Sequence, residues 1–149
     1  MIHGLDTGVL IAAEVDEHTG HDAARETLAR LASAGDQIAV APQVITEFLH
    51  VVTDARRFAR PKDMSTALQN AEQCWNSREV VQVFPNDAAM QRLMVWMRQF
   101  SLGRKRIHDT LLAATYLEAG VTSILTTNPA DFAVFGAFTC IVPTRSTSP

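Results

Sequence analysis

Ile2-His3-Gly4-Leu5-Asp6-Thr7-Gly8-Val9-Leu10 decides how this chain folds. Ile2 to Leu5 reads as a short strand, an acidic residue closes it, and a helical pattern runs from Thr7 to about Val15. A strand feeding directly into a helix begins a βαβ unit, and the rest of the chain repeats the alternation. Ala24, Leu28, Leu31 and Ala32 mark a helix within Gly20 to Ala34, stopped at Gly35. Ile38 to Ala41 is the second strand, and Pro42 suits the first turn of a helix running to about Asp54. A helix over Ser65 to Asn76 takes Asp63 as its cap, and Val80 to Phe84 forms the third strand. Another helix covers Ala88 to Phe100, and one opened by Asp109 stops near Gly120. Ser123 to Thr126 and Phe138 to Val142 are the last strands. The pattern predicts one α/β domain over residues 1–142 with a mostly parallel sheet, and a Ser/Thr-rich tail, 143–149, that is disordered.

Bulk properties agree with one soluble domain. The 149 residues suffice for a substantial core, and 47% of them are apolar. Cys74 and Cys140 have no paired spacing, which favours a reducing, cytoplasmic setting. The first residues carry no basic, long-apolar leader, and no apolar run reaches bilayer-spanning length. Net charge is −3, which by itself argues against a nucleic-acid partner. Its distribution says otherwise. Arg56, Arg57, Arg60 and Lys62 share one loop, and Arg104, Lys105 and Arg106 another.

Four acidic residues stand out: Asp6, Glu47 in Val44-Ile45-Thr46-Glu47-Phe48-Leu49, Asp109, and Asp131 in Thr126-Thr127-Asn128-Pro129-Ala130-Asp131-Phe132. In a parallel sheet, ligands bind beyond the carboxyl ends of the strands. That rule places Asp6 and Asp131 at the crevice. Gathered carboxylates repel, so a fold that collects them needs a cation, and hard oxygen ligands select Mg²⁺ or Mn²⁺. Without these four, 12 of the 16 acidic residues remain against 13 basic ones, close to neutral.

Each residue also has an ordinary reading. Asp6 and Asp109 precede helical stretches, where Asp is a favoured cap. Asp131 occupies a Pro-containing turn, where Asp is again expected. Glu47 stands at the polar edge of its helix. Thr7 and Thr126 suit either capping and strand packing or the orientation of carboxylates. Asn128 shapes the turn or coordinates a cation through its carbonyl, with charge favouring Asp131 for that role. His3, His18, His21, His50 and His108 offer no i, i+4 pair, so a zinc site is not indicated. Met90, Met94, Trp96 and Met97 read as core and interface. Arg104, Lys105 and Arg106 rise above a solvated loop because they adjoin Asp109.

Taken together, Leu5-Asp6-Thr7-x-Val9-Leu10, a mid-chain Glu47 on a helix, Ile107-His108-Asp109-x-Leu111-Leu112-Ala113-Ala114 and Leu125-Thr126-x-Asn128-x-x-Asp131-Phe132 resemble the PIN-domain nucleases. The resemblance is closest to the VapC-type toxins of bacterial toxin–antitoxin pairs, and it runs from near residue 2 to near residue 142. It implies a three-layer α/β/α fold and brings Glu47 and Asp109 to the crevice beside Asp6 and Asp131. It implies a metal-dependent endoribonuclease in which Asp6, Glu47, Asp109 and Asp131 hold one or two Mg²⁺ or Mn²⁺ ions. Water activated by the cation would attack a backbone phosphorus in line, leaving a 5′-phosphate and a 3′-hydroxyl. A homodimer is implied, and a small antitoxin whose tail lies in an apolar groove. Two other readings stand beside this one. A PIN scaffold could bind RNA or a protein without cleaving. A phosphoacceptor receiver is also a small α/β fold with an acidic Mg²⁺ pocket, but it needs an acidic pair near the first strand and a late lysine, and none follows Lys105 here.

Overall fold

The computed structural model describes residues 1–147. Among the described residues five strands form one sheet: β1 (Ile2–Leu5), β2 (Gln37–Val40), β3 (Val80–Gln82), β4 (Ser123–Leu125) and β5 (Thr139–Ile141). Their spatial order is β3-β2-β1-β4-β5, and every pairing is parallel. Helices of the described residues surround it: α1 (Thr7–Glu14), α2 (His21–Ser33), α3 (Pro42–Val52), α4 (Met64–Trp75), α5 (Asp87–Gln99), α6 (Ile107–Glu118) and α7 (Ala130–Ala133). The three-layer α/β/α expectation holds, and the sheet is wholly rather than mostly parallel. The receiver alternative fails here, because that doubly wound topology orders its strands 2-1-3-4-5.

Sequence order reverses direction at β1. The chain winds outward through β2 and β3, then returns to pair β4 on the other side of β1. The crevice of such a sheet opens at this switch, beyond the carboxyl ends of β1 and β4.

Burial explains why the short strands hold. β4 is buried throughout, and Leu5, Ala39, Val40, Ile124 and Leu125 are nearly or wholly inaccessible. Helices cover both faces, as a parallel sheet requires. Tyr116 of α6 is fully buried, and its hydroxyl donates to the Leu5 carbonyl at 2.6 Å. Gly4 makes that approach possible, because a Cβ there would meet the Tyr116 ring at 2.6 Å. The helix carrying Asp109 is thereby pinned beside the strand that ends in Asp6. Trp96 of α5 stacks on Phe135 at 4.4 Å, whereas Met90 and Met94 on the same helix stay exposed.

Helix starts follow the expected chemistry in part. Asp63 caps α4, accepting from the Thr66 backbone N–H at 2.8 Å, and Pro42 opens α3. Asn86 caps α5 through Ala89 N–H at 2.8 Å. α6 begins at Ile107, two residues before Asp109, so Asp109 lies in its first turn and is not its cap. Arg104 to Arg106, expected as an open loop, form one 3₁₀ turn. The tail expected to be disordered makes contacts over Thr144 to Ser146: the Thr144 N–H donates to Thr27 Oγ1 of α2 at 3.2 Å, and the Ser146 N–H donates to Glu26 at 2.8 Å. Ser148 and Pro149 lie outside the described residues. Cys74 and Cys140 are free and half-buried, and burial pushes the Cys74 thiol up to about 11, which makes it a packing group and not a nucleophile. Among the described residues no helix is long and apolar enough to cross a membrane.

Candidate metal centre and its relatives

Asp6 follows the last residue of β1, and its backbone N–H donates to the Leu125 carbonyl at 2.9 Å, which ties the ends of β1 and β4 together. It stands at the N-cap position of α1, yet its side chain makes no capping bond. The carboxylate turns instead toward the neighbouring strand end, where Thr126 Oγ1 donates to Asp6 Oδ2 at 2.7 Å. Thr126 also accepts from the Asn128 N–H at 3.0 Å, so one hydroxyl both holds Asp6 and shapes the turn after β4. The Asn128 carbonyl in turn accepts from the Asp131 N–H at 3.0 Å. Asn128 itself is exposed.

Glu47 projects from α3 and is exposed, with Thr7 Oγ1 of α1 donating to its Oε2 at 2.9 Å. Asp109 in the first turn of α6 and Asp131 in α7 are half-buried. Arg106 connects them. Its Nε lies 3.6 Å from Asp109 Oδ2, its Nη1 lies 3.8 Å from Asp131 Oδ1, and its Nη2 donates to the Asp131 carbonyl. Arg104 and Lys105 remain exposed, so the basic turn divides into one inward and two outward side chains.

Asp6 and Asp109 are both raised above the ordinary carboxylate range. Burial pushes Asp6 up to about 6 against the Thr126 hydrogen bond, and Asp109 and Glu47 push it further. Asp109 is raised by burial first, then by Asp131, with Arg106 opposing and Glu47 adding to the rise. Burial is the larger cause at both, and the added repulsion requires these carboxylates to lie near one another. Among the described residues, however, no three acidic, His or Cys side chains converge on a single point as a finished metal cage would. Each acid is held toward a different partner: Asp6 toward Thr126, Glu47 toward Thr7, Asp109 and Asp131 toward Arg106. The donor set still suits Mg²⁺ or Mn²⁺, because it is all oxygen, rich in charge and short of compensating cations.

Two features escape a reading of the sequence. Arg106 is three residues before Asp109, a helical-neighbour spacing that could have signalled an inward pair. Gly8 lies under the Thr127 turn, where a Cβ would meet Thr127 Oγ1 at 2.9 Å, and no sequence signal marks that approach. Of the histidines, His108 is exposed, and its carbonyl accepts from Gln43 Nε2 at 2.9 Å. His3 lies near the amino end of β1, the central strand of the sheet.

Solved structures share this fold. VapBC2 from Rickettsia felis, bound to a DNA fragment from its promoter, superposes with a TM-score of 0.69 at 17% identity, covering 97% of this chain and 100% of that one. VapBC-1 from nontypeable Haemophilus influenzae gives 0.67 at 15% identity, covering 95% and 98%. VapC20 from Mycobacterium tuberculosis, a sarcin–ricin loop cleaving toxin, gives 0.62 at 16% identity, covering 83% and 87%. At these identities the likeness is one of fold. A search among curated proteins finds no match in sequence. The PIN domain family model matches residues 5–136, which include all four acids and Arg106. The chain belongs to the PIN domain family.

Proposed function

We propose that this protein is a Mg²⁺- or Mn²⁺-dependent endoribonuclease and the toxin of a VapBC-type pair. One observation supports the reading: carboxylates from segments far apart in sequence lie close enough at the switch point of the sheet to raise Asp6 and Asp109, with Asp6 at about 6, although they share no common focus. A structural polar cluster would be neutralised by its neighbours, and this one is not. A bound cation would supply activation of water and charge stabilisation at the scissile phosphate. Asp6, Asp109 and Asp131 would hold it, with Glu47 at the exposed rim. Thr126 and Thr7 fix the orientation of Asp6 and Glu47, so those two carboxylates meet an incoming ion already aimed. Asp6, deprotonated above about pH 6, is a competent ligand at neutral pH. No side-chain nucleophile is needed.

An antitoxin as partner is supported by the fold shared with VapBC structures. A groove of about 270 Å³ between α3 and α4, lined by Pro42, Ile45, Leu49, Leu68 and Trp75, suits an apolar segment of such a protein. It shares α3 with Glu47, so a chain lying there adjoins the acidic rim. A homodimer is expected from the family resemblance alone.

A non-cleaving RNA-binding scaffold is the second reading, favoured by the lack of a common focus among the acids. The same assay separates the two. Protein stripped with EDTA should not cleave a labelled RNA pool, should recover with Mg²⁺ or Mn²⁺ and less with Ca²⁺, and should leave 5′-phosphate ends. Full cleavage in EDTA removes the metal mechanism, and no cleavage under any ion leaves the scaffold.

A further inference from the structure

Arg106 is held by one hydrogen bond, from its Nη2 to the Asp131 carbonyl, and otherwise by charge. Its contacts to the Asp109 and Asp131 carboxylates, at 3.6 and 3.8 Å, exceed the roughly 2.7–2.9 Å of charge-assisted bonds. Its Nε–H is buried and, among the described residues, has no hydrogen-bond acceptor. A buried N–H without a partner is unfavourable and offsets part of what the Nη2 bond contributes. The negative charge of the two acids adds to what keeps the guanidinium there. Each would face the other without compensation if the arginine left. Its neighbours Arg104 and Lys105, with no such pull, point to solvent.

We propose that Arg106 is the internal counterion of the acidic site, occupying in the cation-free protein the place a divalent ion takes when bound. The inference rests on the metal-dependent reading above. A guanidinium spreads one charge over a plane, whereas Mg²⁺ concentrates two and demands oxygens at about 2.0–2.1 Å. Asp109 and Asp131 cannot close on such an ion while their oxygens face Arg106. Cation entry therefore requires the side chain to turn away, and the unsatisfied Nε–H makes that departure cheaper than breaking a fully bonded arginine pair. Apparent cation affinity is then the intrinsic affinity scaled by the fraction of molecules in which Arg106 has left the acids.

The test uses the full chain stripped of metal, with Mn²⁺ binding followed by titration calorimetry in wild type, Arg106→Gln and Arg106→Lys. If the paired form is about nine-tenths populated, Arg106→Gln should bind Mn²⁺ roughly tenfold more tightly. It should also melt lower than wild type without metal, because two carboxylates lose the guanidinium that faces both. Arg106→Lys, whose compact ammonium cannot bridge both acids, should fall between the two, and it serves if the Gln variant does not fold. In wild type, the Arg106 Nε–H resonance, identified by its loss in the variants, should shift and exchange faster with solvent as Mg²⁺ is added. Equal or weaker Mn²⁺ binding by both variants, or an unmoved Nε resonance at saturating Mg²⁺, overturns the counterion role and leaves metal binding standing. Absence of Mn²⁺ binding in wild type and both variants overturns the metal reading, and this inference with it.

Discussion

The two ends of the central strands treat polar groups in opposite ways. At the amino end, His3 of β1 is buried between Ser123 Oγ at 2.8 Å and Asp36 Oδ2 at 3.3 Å, a chain in which each ring nitrogen has a partner. At the carboxyl end, four acids share one guanidinium and two threonine hydroxyls. The first network holds one carboxylate and closes on itself. The second has negative charge to spare. Satisfied clusters rigidify a core, and unsatisfied ones at a crevice wait for a ligand.

The sharpest way to break the contrast is Asp109→Asn. At the carboxyl end it removes a charge that burial and Asp131 already disfavour. Metal-dependent cleavage should fall by on the order of a thousandfold, the several kcal/mol of charge stabilisation a cation supplies. Stability without metal should hold or rise, since a carboxyl with a raised pKa contributes stability only while protonated. Turnover and melting temperature on one sample check both. Persistent cleavage would reduce Asp109 to a structural polar group.

His3→Ala makes the complementary change. It should leave Ser123 buried without its partner and a cavity beside it, lowering stability by about 2–3 kcal/mol. Cleavage per folded molecule should be unchanged. If His3→Ala instead abolished activity in protein that denaturant titration shows to be folded, the two ends would not be independent.

That division was only half legible in the residues. Asp6 after a strand and Asp131 after another could be placed at the crevice by topology, because a parallel sheet opens at its carboxyl ends. Glu47 and Asp109 lie on helices whose inward faces depend on packing, such as Tyr116 reaching across Gly4, and no local pattern encodes it. Capping chemistry misled in a specific way. Asp6 occupies a cap position but bonds to Thr126, which is 120 residues distant. Asp63 obeys the same rule because no tertiary partner competes for it. α7 was invisible because four residues after a proline carry too little periodicity to distinguish a helix from a turn.

A smaller effect sharpens the charge surplus itself. Asp6 has a folded pKa of about 6 against an ordinary 3.8, so its contribution to metal-free stability is present at low pH and is lost as pH rises from about 4 to 6. The loss is at most about 3 kcal/mol. Asp6→Asn should flatten that part of the stability curve, and saturating Mg²⁺ should reverse its slope, because the ion favours the deprotonated form. An unchanged urea midpoint between pH 4 and 6 in wild type would show that the crowding is relieved some other way.

The smallest effect concerns what lies outside the crevice. Arg104 and Lys105 are exposed, and among the described residues neither forms an ion pair, so both are free to meet a phosphate backbone while Arg106 faces the acids. Each phosphate contact on single-stranded RNA adds about −0.7 to the slope of log affinity against log salt. Replacing both with Ala in an Asp109→Asn background should flatten the slope by up to about 1.4. Binding should weaken alike across sequences, because phosphate contacts position RNA without reading its bases. Labelled RNA titrated at several salt concentrations measures the slope directly. An unchanged slope would make Arg104 and Lys105 ordinary solvated charges, leaving Arg106 alone in the basic turn with a role at the site. A slope that flattens for only some sequences would mean that the turn contacts bases and helps to select the cleavage site.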